Sequence, residues 1–189
     1  MSIPLLWKIL FYSWTAGEVC LVVATRTRKS RGKVRDRGSL LLLWSAIVGS
    51  ITAADFVDDW VRAPMFPGSH WPRYAAIALM IAGLLIRWTA IISLGKAFSV
   101  NVAIRDSQTL YRSGLYRLAR HPSYSGLMVC FVAIALAGRN WIGAAVVLLP
   151  TTAAILYRIH VEEAALLGAF GADYLAYSET TKRLIPGIY

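Results

Sequence analysis

Five apolar runs, near residues 3–25, 39–56, 73–94, 123–138 and 141–160, constrain this chain more than any other feature. Each approaches or reaches the roughly 20 residues that an α-helix needs to cross a bilayer. A hydrocarbon interior offers no water to backbone groups, so segments of this kind must satisfy their own hydrogen bonds as helices. Of the 189 residues, 57% are hydrophobic and only 16% are charged, whereas an ordinary soluble domain carries about 25% charged residues. The pattern predicts an all-α, polytopic membrane protein with five transmembrane helices. It excludes a disordered chain, a secreted domain and a nucleic-acid-binding domain.

The fourth run is short, and only Gly138-Arg139-Asn140 separates it from the fifth. These two are therefore expected to form a tight antiparallel helical hairpin. The fifth helix is expected to continue beyond the membrane to Phe170, with Gly171 as its C-terminal stop and a short cytoplasmic helix after it. Met1-Ser2-Ile3-Pro4 lacks the basic region of a secretory leader, so the first run is expected to be a retained span.

The net charge of +10 is explained by where the basic residues fall. Residues 26–37 hold seven bases and one acid, residues 55–72 three acids and one base, and residues 95–122 five bases and one acid. By the positive-inside rule the loop 26–38, the connector and the C-terminal tail are cytoplasmic and the N-terminus lies outside. The basic loop is read first as an orienting signal and second as a site for anionic lipid headgroups. The chain divides into residues 1–94, three spans with that loop, and residues 95–189, a connector, the hairpin and a C-terminal segment. Cys20 and Cys130 lie inside apolar runs, which leaves neither a disulfide framework nor a four-ligand zinc site. Lys8 can snorkel from an outer helix end. Glu18 and Arg87 sit deeper, where they are expected to pair or to line a cavity.

Chemistry-bearing side chains collect in two stretches that flank the hairpin, residues 109–124 and 158–186. Pro122 suits the first position of a helix and biases His121 away from helical geometry. Arg120 and His121 are thus held in an extended segment at a helix N-terminus, which favours anions. Glu162 and Glu163 stand where the fifth helix leaves the bilayer, too close to hydrocarbon for casual surface charges. Tyr174 and Tyr177, three residues apart, share one helix face. An aromatic pair at that spacing is more often packing than a ligand cage, and an interfacial aromatic belt is a second structural explanation.

The run Gly114-Leu-Tyr-Arg-Leu-Ala-Arg-His-Pro-Ser-Tyr124, then Glu162-Glu163, Phe170-Gly-Ala-Asp-Tyr-Leu-Ala-Tyr177 and Arg183-Leu-Ile-Pro186 resembles the isoprenylcysteine carboxyl methyltransferase family and its phospholipid N-methyltransferase relatives. The similarity covers residues 94–186. It implies a cytoplasm-facing pocket for S-adenosylmethionine, without metal, formed by the hairpin and the C-terminal segment. Tyr116, His121, Tyr124, Glu162, Glu163, Tyr174 and Tyr177 carry over as cofactor-pocket residues. Arg120 and Arg183 carry over as the groups that hold an acceptor carboxylate. Close relatives often continue the acidic run where Ala164 stands here. The glycine-rich loop of soluble methyltransferases is absent from the sequence. The implied acceptor is an isoprenylated cysteine or a similar lipophilic acid entering from the bilayer. A phospholipid amine or small thiol is the alternative enzyme substrate, and a small scaffold or channel subunit is the non-enzymatic alternative.

Overall fold

The computed structural model describes residues 2–25, 33–34, 38–95, 98, 103–104 and 109–189. Most of the basic stretch 26–37, and with it the reading of that loop, lies outside the described residues. Among those described, the chain is helical almost throughout. The helices are α1 (Ile3–Thr25), α2 (Ser39–Trp60), α3 (Trp71–Leu94), α4 (Pro122–Gly138), α5 (Trp141–Phe170) and α6 (Ala172–Thr180), with a 3-10 turn over Gly114–Arg117. The helices α1, α2, α3 and α5 are long and apolar enough to cross a membrane. At 17 residues, α4 rises about 25 Å, a little less than the roughly 30 Å of bilayer hydrocarbon.

The hairpin forms as expected. Arg139 takes the left-handed conformation at φ 56°, reversing the chain within three residues. Asn140 then caps α5, its side-chain oxygen accepting from the Ile142 and Gly143 amides at 2.9 and 3.2 Å. Its amide nitrogen donates to the Val61 carbonyl at 2.7 Å, tying the hairpin tip to the end of α2. At its other end α5 reaches Phe170 and stops at Gly171, φ 51°.

One boundary differs from the apolar pattern. α2 runs to Trp60 rather than ending near residue 56, and it carries Asp55, Asp58 and Asp59 in its last turns. The hairpin accommodates Asp58 because its glycines leave room. A Cβ on Gly138 or Gly143 would come within 3.1 or 2.8 Å of the Asp58 carboxylate. A second difference is a small ladder between β1 (Lys33–Val34) and β2 (Ala103–Ile104), antiparallel, with Lys33 opposite Ile104 and Val34 opposite Ala103. Two-residue strands are too short to show periodicity in a sequence. They join the first loop to the connector.

Packing follows small residues. α3 lies along α4, α2 along α5, and α4 against α5, while α1 rests more lightly on α3. Gly83 and Gly126 meet at the α3–α4 crossing so closely that a Cβ on either would fall 2.8 or 2.7 Å from the other's carbonyl oxygen. Lipid tails are as apolar as leucine, so helices in a membrane gain most from such close approach. Around this crossing Met80, Leu127, Phe131 and Ile155 are fully buried. The arrangement places the start of α4, the end of α5 and α6 at one end of the bundle.

Candidate active site

Two short backbone segments form the floor of the site. Pro122 opens α4, leaving His121 at φ −125° and ψ 56°, outside the helix. The extended residues before it pair with the C-terminal tail. The Arg120 amide donates to the Lys182 carbonyl at 2.8 Å, and the His121 amide donates to the Arg183 carbonyl at 2.9 Å. At the end of α4's first turn, the Ser125 hydroxyl donates to the Leu184 carbonyl at 2.6 Å. Stretches 59 to 62 residues apart are thereby stitched together.

Above this floor Glu163 collects the positive groups. Its Oε1 accepts from Arg120 Nε and Nη2 at 3.0 and 2.8 Å. Its Oε2 accepts from Arg183 Nε at 3.0 Å, with Arg183 Nη2 at 2.9 Å. His121 Nε2 lies 3.4 Å from Oε1. Arg120 Nη1 also donates to the carbonyls of Ser178 and Thr181, anchoring the end of α6. The bonds to Glu163 hold the Arg183 guanidinium above its ordinary pKa.

Successive residues on a helix point about 100° apart, and the two glutamates divide accordingly. Glu162 faces a cleft, where its Oε2 accepts from the Tyr124 hydroxyl at 2.9 Å. The cleft has about 1260 Å³ of empty space including its mouth, and its wall includes Tyr116, Arg120, His121, Tyr124, Tyr174 and Tyr177. Glu163 and Arg183 are not part of that wall and act behind it through Arg120 and His121. Tyr116 and Tyr177 are joined by a bond from the Tyr177 hydroxyl to the Tyr116 carbonyl. Arg112 stacks over the Tyr177 ring, 5.8 Å from its centroid.

Burial raises the pKa of these phenols, pushing Tyr177 up to about 12 and Tyr116 and Tyr174 still further. All three therefore remain neutral hydrogen-bond donors throughout the physiological range. The Tyr174 hydroxyl is enclosed and makes no well-formed hydrogen bond among the described residues, although the Glu163 carboxylate is near enough to act on it. A buried polar atom left unpaired is costly, so this hydroxyl suits a ligand's oxygen or nitrogen.

The other half of the cleft is apolar, lined by Val22 of α1 and by Leu40, Leu43, Trp44 and Ile47 of α2. Glu18 and Arg87, expected to pair or to line a cavity, do both: the Arg87 fork donates to both Glu18 carboxylate oxygens, and both residues border the cleft. Arg158 was missed by sequence reasoning. It is 2% exposed, and its guanidinium donates to the Tyr124 hydroxyl at 2.9 Å and to the Ser39 hydroxyl at 2.8 Å. Its position four residues before Glu162, on the same helix face, was the available signal. The apolar half had no signal, since a leucine facing a cavity reads like one facing lipid.

The family model for isoprenylcysteine carboxyl methyltransferases matches residues 76–168. Protein-S-isoprenylcysteine O-methyltransferase A of Arabidopsis thaliana is 32% identical over 143 residues, which cover 75% of this chain and 73% of that protein. The protein-S-isoprenylcysteine O-methyltransferase of Rattus norvegicus is 30% identical over 136 residues, covering 71% of this chain and 48% of the relative. A solved structure of the eukaryotic intramembrane Ras methyltransferase, an isoprenylcysteine carboxyl methyltransferase, superposes with TM-score 0.59 at 27% identity. The match takes in 76% of this chain and 51% of that one, so the chain spans about half the length of that relative.

Proposed function

This chain belongs to the isoprenylcysteine carboxyl methyltransferase family, and from that premise we propose that it is an integral membrane methyltransferase acting on the carboxylate of an isoprenylated cysteine or a similar lipophilic acid. The observation that carries the reading is one cleft with two unlike halves. One half presents Glu162, His121 and a group of tyrosines, and the other presents Val22, Leu43, Trp44 and Ile47. A water-soluble methyl donor suits the first half and a hydrocarbon tail the second.

S-adenosylmethionine fits the polar half by the chemistry of its donors. The Glu162 carboxylate complements a cation, the aromatic rings complement a purine, and the enclosed Tyr174 hydroxyl complements a polar atom of the ligand. Tyr116, His121, Tyr124, Glu162, Tyr174 and Tyr177 would hold it, with Glu163 acting through Arg120 and His121. When bound, it would supply an electrophilic methyl group. The protein's own task is then modest. A carboxylate acceptor is ionised at pH 7, so no side chain has to remove a proton. Orientation and exclusion of water provide the rate, and good alignment is worth roughly 7 to 11 kcal/mol of barrier. Arg120, on the cleft wall, is proposed to meet the acceptor carboxylate. Arg183 supports that role through the glutamate both arginines share.

The test is methyl transfer by the purified protein in lipid vesicles, supplied with methyl-labelled S-adenosylmethionine and either a farnesylcysteine analogue or phosphatidylethanolamine. A labelled, base-labile ester on the farnesylcysteine analogue is expected. Transfer confined to the amine lipid would overturn the carboxylate reading. Arg120→Lys keeps the charge but loses the fork that Glu163 holds, and with it the fixed orientation of that charge toward the cleft, so turnover on the prenylcysteine is expected to fall. Unchanged turnover would remove Arg120 from the acceptor side.

We propose further that this site, the connector 95–121 and the C-terminal segment 161–189 face the cytoplasm, on the strength of the basic excess in 26–37 and 95–122. Cysteines introduced at His70 and Glu179, both exposed, are expected to react with an impermeant reagent from opposite faces. Labelling of both from one face would reject this topology.

A further inference from the structure

We propose that the Glu18–Arg87 ion pair positions α1 as one wall of the acceptor compartment and thereby determines which hydrocarbon tails the enzyme accepts. The inference rests on the reading of the apolar half as an acceptor site. Its starting point is an asymmetry in packing. Arg87 is anchored: it sits at the α3–α4 crossing, where a Cβ on Gly126 would meet its backbone nitrogen at 2.6 Å. Its Nη1 also donates to the Ser123 carbonyl at 3.2 Å, in the first turn of α4. α1, by contrast, is the most loosely held of the long helices, with only 17% of its most apolar stretch buried. It leans on α3, and among the described residues α1 and α2 scarcely touch.

Yet α1 and α2 border the same cleft, Glu18 and Val22 on one side and Leu43, Trp44 and Ile47 on the other. The distance between the two helices therefore sets the width of the apolar half. Trp14 packs edge-on against Phe131 and Gly17 lies against Trp88, and beside these apolar contacts the Glu18 carboxylate in the Arg87 fork gives α1 a directional tether at the cleft. The side chains of this pair are 11% and 8% exposed, Glu18 and Arg87 respectively. In such surroundings a two-pronged contact is stiff and strongly directional. A charged pair inside an apolar bundle is costly to maintain, and a packed leucine would hold two helices with less penalty. What the pair adds is a single permitted position and rotation for α1.

Glu18 and Arg87 are positioning residues here, acting on the acceptor through the helix wall. Glu18→Leu is expected to raise KM for a farnesylcysteine analogue at least tenfold. Maximal turnover and affinity for S-adenosylhomocysteine, measured by calorimetry, are expected to stay within twofold, because the polar half is built from other elements. Glu18→Asp, which retains the carboxylate, is expected to restore most of the acceptor KM. Unchanged acceptor KM in Glu18→Leu overturns the proposal. So does a parallel fall in turnover and S-adenosylhomocysteine affinity, which marks a merely structural role, and Glu18→Gln is the second variant if the leucine form does not fold.

Spin labels at Val23→Cys and Leu41→Cys, both strongly exposed, in a Cys20→Ser background, report the α1–α2 distance without any acceptor. A narrow distribution that broadens in Glu18→Leu supports the tether. An unchanged distribution rejects it. If the wild type does not methylate farnesylcysteine, the proposed function fails, and the spin-label result still decides whether the ion pair fixes α1.

Discussion

Gly126→Leu is expected to unfold the α3–α4 half of the protein or to lower its melting temperature sharply. A Cβ at this position would stand 2.6 Å from the Arg87 nitrogen, 2.7 Å from the Gly83 carbonyl oxygen and 2.9 Å from Arg87 Cβ. Two of these obstacles are backbone atoms of a helix interior, which cannot swing aside as a side chain would. The remainder of a leucine has no room without driving α3 away from α4. Overpacking a close contact costs about 1 to 3 kcal/mol where neighbours can adjust, and here they cannot, so the upper end or beyond is expected. The consequences reach the site, because the first turn of α4 carries Ser123 and Tyr124 and follows His121.

Thermal unfolding in detergent, followed by helical signal and by S-adenosylhomocysteine binding, checks the expectation. Gly49→Leu is the control: nothing lies within 4 Å of its Cβ position, and wild-type melting is expected. A Gly126→Leu protein that melts with the wild type would mean that the two helices do not cross at this distance.

Glu163→Ala is expected to have the second large effect. The carboxylate accepts bonds from Arg120 and Arg183 and lies 3.4 Å from His121 Nε2. Without it, two permanent positive charges face each other across the space it leaves. Removing one partner of a buried ion pair costs about 3 to 5 kcal/mol. The Arg120 side chain is 9% exposed and fits that case, whereas Arg183 at 41% is solvent-screened and contributes little. An expected loss of about 3 kcal/mol corresponds to more than a hundredfold in affinity if it falls on donor binding.

It is expected to fall there because Arg120 also holds the carbonyls of Ser178 and Thr181, and with them the helix that presents Tyr174 and Tyr177. Calorimetry with S-adenosylhomocysteine is the measurement, and Glu163→Gln, which keeps an acceptor oxygen, is expected to lie between the alanine variant and the wild type. Wild-type affinity in Glu163→Ala would show that the arginine cluster does not support the pocket.

Much of this architecture is legible one residue at a time. The helix ends at Pro122, Asn140 and Gly171 follow from local chemistry: a ring that cannot donate, a side chain that caps, and a residue free to adopt positive φ. The hairpin follows from three residues between two apolar runs. The spacing of Glu162-Glu163 from Tyr174 and Tyr177 sets which groups share the end of α5 and the face of α6. Apolar composition decided the solvent, and the solvent decided that the chain is helical.

The tertiary structure decided what depends on distance rather than order. Nothing in the sequence separates Glu162, which lines the cleft, from Glu163, which gathers two arginines behind it. That division arises when residues 119–121 and 182–184 pair and bring both guanidiniums to one side of α5. Nor does the sequence mark which leucines of α2 face a cavity, since hydropathy is the same toward lipid and toward an empty cleft. The partner of Glu18 is a matter of packing too, because only the Gly83–Gly126 crossing brings Arg87 to its place. Local propensity acts over a few residues, whereas these contacts join groups 20 to 69 residues apart, and only the close packing of helices in the folded bundle selects them.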